Sequence, residues 1–318
     1  MRFKALLLAL TLLLSGFFAT PAVAAQDQAT IVSRQQLSER LVELRVHSDA
    51  LHREVGVRLL LPEDWAKFPH RDWPTLYLLH GCCDGDNGYR SWTDQTDVAA
   101  FTANTNALIV MPEGGTVGFY SNWYDRSVDW ETFHLTELRR LLQKEFRSGG
   151  QRAVAGLSMG GFGAFSYAAR HPGFFQAAAS YSGVVDTTYG GSLTTDVLQN
   201  FLTGAGFDKN ALWGDPVAQA DVWAKYNPYD QARRLRGTQL FLASGNGRPG
   251  PLDPPGAGPD QLEQVLGTQA AGMTERLHRL GIRVTTDLYG PGTHTWPYWE
   301  RELHKSFPML MRSIGVAV

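Results

Sequence analysis

The chain has 318 residues, 43% of them hydrophobic and 19% charged, with a formal net charge of -2. That balance describes a well-cored globular protein and excludes a disordered or fibrous one. It also leaves no basic footprint for a nucleic-acid partner or an anionic membrane surface.

Taken in order, the chain begins with Arg2 and Lys4, an apolar run over 5–18, and the small residues Ala22-Val23-Ala24. This is the pattern of a secretory signal peptide over 1–25, cut near Ala24-Ala25. The run is short for a membrane span, and no second run of roughly 18 residues follows. The expectation is an exported protein without an integral membrane span, whose residues 26–318 form one catalytic domain of ordinary α/β-enzyme size.

Residues 41–61 alternate like antiparallel strands, most clearly over 55–61. Residues 75–79 and 107–111 are compact apolar runs bounded by loop residues, as buried parallel strands are. Residues 131–146 carry apolar side chains at helical spacing. Residues 177–182 and 239–243 read as further strands, 273–280 as a helix and 283–288 as the last strand. Strands alternating with helices argue an α/β fold, a mostly parallel central sheet covered by helices on both faces. The stretch 244–259 is crowded with proline and glycine. It reads either as a solvated surface loop or as a functional loop beyond a strand end.

The pentapeptide Gly156-Leu157-Ser158-Met159-Gly160 follows the apolar Ala153-Val154-Ala155 and opens a helical segment over 161–170. Strand, sharp turn and helix are the context of a nucleophile elbow. Its alternative is a plain glycine-rich strand-to-helix turn. Ser158 is thus the candidate nucleophile, and it needs a histidine to take its proton and a carboxylate to orient that histidine. In an α/β-hydrolase fold both follow the serine in the chain, the acid first. His171 sits at a helix end, His278 in a charged helical stretch and His304 in an amphipathic C-terminal helix. His294 lies in a glycine-bracketed loop after the final strand, where the base belongs. For the acid, Asp253, Asp260 and Glu263 all stand between the penultimate strand and His294, and spacing alone does not separate them. An oxyanion hole needs two backbone N–H donors. Met159 supplies one. Cys82, in the loop His80-Gly81-Cys82-Cys83, is the candidate for the other.

Cys82 and Cys83 are the chain's only cysteines. Being adjacent, they cannot staple distant segments and form either a vicinal disulfide or two thiols. Without histidine at ligand spacing they make no zinc site. No metal or cofactor is implied.

With these residues in hand, the chain resembles the esterase D superfamily and, within it, the actinobacterial antigen 85 mycolyltransferases and their secreted esterase relatives. The resemblance rests on Val110-Met111-Pro112-Glu113-Gly114-Gly115, Phe119-Tyr120-Ser121-Asn122-Trp123-Tyr124, Trp130-Glu131-Thr132-Phe133, the elbow, Gly245-Asn246-Gly247, and Gly292-Thr293-His294-Thr295-Trp296-Pro297-Tyr298-Trp299. It implies an α/β-hydrolase fold and a glutamate acid about 30 residues before the histidine, which matches Glu263. Esterase D relatives place an aspartate just ahead of the intervening leucine, which keeps Asp260 as the alternative. In the mycolyltransferases an aspartate and an arginine beside the oxyanion residue help to hold trehalose. Here His80 and Cys83 stand at those positions, which tilts the expectation from acyl transfer to hydrolysis.

The expected activity is therefore that of a serine ester hydrolase acting on a small-molecule or lipid ester. His80, Cys83, Trp123 and Trp296 are candidate substrate contacts. Transfer to a sugar or glycerol hydroxyl is the alternative within enzymes, and an inactive cell-envelope binding protein is the alternative outside them.

Overall fold

A computed structural model describes residues 28–317 apart from residue 84. The expected signal peptide lies outside the described residues. Nine strands, β1 (Ala29–Gln36), β2 (Leu41–Ser48), β3 (Arg53–Leu60), β4 (Trp73–Leu79), β5 (Leu108–Pro112), β6 (Ser148–Leu157), β7 (Ala177–Tyr181), β8 (Gln239–Gly245) and β9 (Thr285–Gly290), make one sheet in the order β1-β2-β3-β5-β4-β6-β7-β8-β9. The first three pair antiparallel, and β3 meets β5 antiparallel. From β5 through β4 to β9 every pairing is parallel. The order reverses around β4, which has β5 on one side and β6 on the other. The carboxyl ends at such a reversal are where open α/β sheets bind ligands.

Four longer helices, α1 (Arg139–Phe146), α2 (Met159–Arg170), α4 (Gln261–Arg279) and α5 (Trp296–Ser313), cover this sheet, and α3 (Ser192–Gly204) packs into the core beside it through Leu198 and Leu202. Successive strand side chains point to opposite faces, and the core divides accordingly. Tyr77, Val154, Ala178 and Leu240 pack with Phe162 and Phe165 of α2 and with Leu266 and Met273 of α4. Leu76, Ala153, Ala155 and Ala177 pack with Leu303, Phe307 and Leu310 of α5. The expected sheet covered on both faces is what forms.

Two elements differ from their sequence patterns. The helical segment expected over 131–146 runs as Trp130–Thr132, then a π-helical turn Phe133–Leu138, then α1. The helix expected over 273–280 begins twelve residues earlier, because Asp260 caps α4 by accepting a hydrogen bond from the N–H of Glu263 at 3.0 Å.

Strand register sets the site. Leu79 lies opposite Gly156, Leu157 opposite Tyr181, Tyr181 opposite Ala243, and Gly245 opposite Gly290. The chain leaving β4, β6, β7, β8 and β9 therefore emerges along one rim, and with it Cys82, Ser158, Ser182, Ser244 and His294.

Candidate active site

Ser158 is the single residue between the last residue of β6 and the first of α2, with φ 52° and ψ -119°. A non-glycine residue held there stores roughly 1–3 kcal/mol of backbone strain, tolerated where the surroundings over-determine it. They do so here. The Ser158 N–H donates to the Tyr181 carbonyl at 2.9 Å, and its carbonyl accepts from the Phe162 N–H at 3.0 Å. The flanking glycines let this turn close: a Cβ on Gly156 would lie 2.3 Å from the Gly160 carbonyl oxygen, and one on Gly160 would lie 2.3 Å from that of Leu79.

His294 sits on the loop between β9 and α5, and its Nδ1 is 2.8 Å from Glu263 Oε2. Glu263 is 0% exposed. Its other oxygen, Oε1, accepts from the Ser182 hydroxyl at 2.8 Å, the Ser244 hydroxyl at 2.8 Å and the Gly245 N–H at 2.6 Å. Burial alone would push this carboxyl up. The hydrogen bond and charge of His294, with the Ser182 and Gly245 donors, outweigh it and hold the pKa below the usual glutamate value. The His294 ring packs edge-on to Trp299, 4.8 Å between centroids, and Trp299 Nε1 donates to Ser182 Oγ at 3.2 Å. Ser182 and Ser244, which motif spacing does not single out, thus complete the acid's surroundings. The only signal for them is a serine at the end of an apolar strand run.

The three candidate acids take three different places. Glu263 receives the imidazole. Asp260 caps α4 through Oδ1 and accepts the backbone N–H of His294 through Oδ2 at 2.9 Å. Asp253 accepts from the Thr293 hydroxyl, from Tyr298 OH at 2.8 Å and from the Gly250 N–H at 2.7 Å. The proline- and glycine-rich stretch is therefore no freely solvated loop, since its backbone is also stitched to the histidine loop. Asn246 N–H donates to the Gly290 carbonyl, Gly247 N–H to that of Gly292, and Gly292 N–H to that of Arg248. The other histidines sit elsewhere. His171 bonds Glu131 Oε1 at 2.6 Å, His304 bonds Asp97 at 2.8 Å, and His278 is exposed on α4.

A cavity of about 220 Å³ opens over the elbow, walled by Gly81, Cys82, Ser158, Met159 and His294 together with the apolar Phe119, Leu157, Val184, Phe201, Leu262, Trp296 and Trp299. Of the four candidate substrate contacts only Trp296 belongs to this wall. His80 is buried beneath it, Nδ1 against the Gly81 carbonyl at 2.6 Å and Nε2 accepting the Gly114 N–H at 2.7 Å. Trp123 is buried against Phe207, with Nε1 donating to the Gly118 carbonyl. Cys83 is exposed, and its N–H donates to the Thr116 carbonyl at 2.8 Å. These bonds fasten the loop after β4 to the loop after β5, so the positions His80 and Cys83 shape the Cys82 turn from behind. No group of three or more metal-ligating side chains occurs among the described residues, and no helix among them is long and apolar enough to cross a membrane.

A family model described as "Putative esterase" matches residues 48–310. Esterase MT1326 of Mycobacterium tuberculosis (strain CDC 1551 / Oshkosh) is 35% identical over 228 residues, covering 68% of this chain and 48% of that protein. The chain thus spans about half the length of that relative. The diacylglycerol acyltransferase/mycolyltransferase Ag85B of Mycobacterium leprae is 30% identical over 285 residues, covering 85% of this chain and 83% of its own. Among solved structures, MPT51 (FbpC1) of Mycobacterium tuberculosis superposes with a TM-score of 0.70 at 24% identity, over 87% of this chain and 100% of that one. FphF, a fluorophosphonate-binding serine hydrolase of Staphylococcus aureus, superposes with a TM-score of 0.66 at 20% identity, over 85% of this chain and 97% of its own. With the sheet order and elbow above, these likenesses identify the fold as that of the α/β-hydrolases.

Proposed function

The chain belongs to this esterase family, and on that premise we propose that it is an exported serine carboxylic-ester hydrolase working through an acyl-enzyme on Ser158. The observation that carries the reading is the hydrogen bond from the His294 ring to the fully buried Glu263, on the rim of a cavity that also holds Ser158. His294 takes the Ser158 proton as Oγ attacks the ester carbonyl, and Glu263 holds the imidazole in the tautomer that leaves Nε2 free to do so. The N–H groups of Cys82 and Met159 bind the tetrahedral oxyanion. Returning the proton to the leaving alcohol collapses this intermediate to the acyl-enzyme. Water, activated by the same histidine, then releases the acid.

The apolar share of the cavity wall suits an acyl chain better than a charged or peptide substrate. A second reading, transfer of the acyl group to a sugar or glycerol hydroxyl, is favoured by the mycolyltransferase relative's match to most of the chain. Hydrolysis is preferred because His80 and Cys83 are taken up in the loop behind the cavity and offer no carboxylate–guanidinium pair to a sugar.

The test is turnover of p-nitrophenyl esters from acetate to palmitate by the wild type and by Ser158→Ala. Turnover abolished in the variant, with free acid as the product even when trehalose or a diacylglycerol is present, is the expected result. Undiminished turnover in Ser158→Ala overturns the reading, and acyl transfer in preference to hydrolysis moves it to the second one.

A further inference from the structure

Asp260 joins the acid to the base. Its Oδ1 accepts the N–H of Glu263, in the first turn of α4. Its Oδ2 accepts the N–H of His294, on the loop after β9. One carboxylate thus grips the backbone of both residues whose side chains meet at 2.8 Å. The two segments belong to different elements 31 residues apart, and the histidine segment carries Gly290 and Gly292 beside the contact. Such chain is easily displaced unless something fixes it. Backbone stitches hold the loops to each other further back, while Asp260 accepts the backbone N–H of both active residues themselves. An aspartate suits the place because it offers two acceptor oxygens to two N–H donors, which neither a hydroxyl nor an amide can do.

We infer that Asp260 is a positioning residue that sets the separation and angle between Glu263 and His294, beyond capping α4. The inference rests on the serine-hydrolase reading above. Loosening the contact between Glu263 and the His294 ring misplaces Nε2 relative to Ser158.

The decisive variants are Asp260→Ser and Asp260→Asn, because both residues cap helices well but neither offers a separate acceptor oxygen to each N–H group. They are compared with the wild type and Ser158→Ala by melting temperature and by kcat and KM for p-nitrophenyl butyrate hydrolysis. If Asp260 served only as a cap, both variants would keep kcat and KM at their wild-type values. The inference expects a melting temperature within roughly 4 °C of the wild type. It expects kcat reduced about 10- to 100-fold with KM changed less than about two-fold. Wild-type kcat in either variant overturns it, and so does loss of folding in both, which would make the role structural. Should Ser158→Ala itself retain full turnover, the serine-hydrolase reading is what fails, and that outcome is distinct from an inert Asp260 in an enzyme that depends on Ser158.

Discussion

Glu263 Oε2 lies 2.8 Å from His294 Nδ1, while every protein donor around Glu263 Oε1 is a hydroxyl or a backbone N–H fixed to a strand end. The carboxylate is thus oriented by donors alone, and in the proposed reaction its charge is matched by the imidazolium that forms. In Glu263→Gln the amide has one acceptor oxygen. Either its NH2 faces the Ser182, Ser244 and Gly245 donors or it faces the His294 ring, and the second arrangement forces the wrong tautomer. We expect kcat to fall by about 10³-fold or more with KM little changed. Steady-state kinetics on p-nitrophenyl butyrate measure this, and a loss below ten-fold would remove Glu263 from its proposed role.

How far the sequence reveals this site varies from element to element. The rim strands announce themselves as short apolar runs, and the elbow and His294 as glycine-bracketed polar residues directly after such runs. Spacing does not separate Asp253, Asp260 and Glu263, and only the family resemblance points to Glu263, since which carboxylate faces the ring depends on the direction in which α4 leaves its cap. The beginning of α4 is obscured by Gly267 and Gly272, poor helix formers, and by Glu263 and Gln269, polar residues that the fold buries. Strand β1 was hidden for the opposite reason. Most of its side chains are exposed, so no apolar pattern marks a strand that is held by its backbone pairing with β2.

His134 gives the protein a pH-dependent weakness outside the active site. Burial pushes its pKa from 6.5 down to about 4, against the raising effect of the Glu113 carbonyl, which accepts from Nε2 at 2.8 Å. The unfolded chain therefore takes up this proton first. The stability linked to His134 is fully present above pH 6.5, falls as the pH drops toward 4 and is flat below. Buried Glu113, Glu131 and Glu263, all held below the usual glutamate value, lose their contributions from about pH 4.5 downward. Urea midpoints measured between pH 7 and 4 should decline in the wild type. In His134→Gln, which starts lower because the contacts to Tyr167 and Glu113 are lost, they should decline less steeply. Parallel slopes would show that His134 is protonated without penalty in the fold.

Glu131 ties the far end of the elbow helix to the segment after β5. Its oxygens accept from Arg170 Nε and NH2, each at 3.1 Å, and from His171 Nε2 at 2.6 Å. Burial would raise this carboxyl, but the His171 hydrogen bond and the Arg170 charge hold it down. Glu131→Gln leaves a mostly buried guanidinium without its counter-charge, at a cost of roughly 2–4 kcal/mol of unfolding free energy. Because the contact is at the opposite end of α2 from Ser158, KM and kcat of the folded fraction should stay within about two-fold. Denaturant unfolding separates the two effects. A stability change under about 0.5 kcal/mol would mean that solvent compensates the arginine.

Two glycine substitutions should act in opposite directions. A Cβ at Gly160 would lie 2.3 Å from the Leu79 carbonyl oxygen and 2.6 Å from that of His80. Both belong to backbone leading into the Cys82 loop, and neither can withdraw without moving the end of β4. Gly160→Ala should therefore destabilise the fold and also displace the proposed oxyanion donors, lowering kcat as well as the melting temperature. Gly272 lies inside α4, and a Cβ there meets nothing within 4 Å. Gly272→Ala should stabilise the protein by about 0.5–1 kcal/mol through lost freedom of the unfolded chain, with kinetics unchanged. Thermal melts and kcat for the pair test the elbow geometry directly. An alanine tolerated at position 160 with wild-type turnover would mean that α2 can slide away from β4, and the close packing of the elbow against the strand would then not be what fixes Ser158.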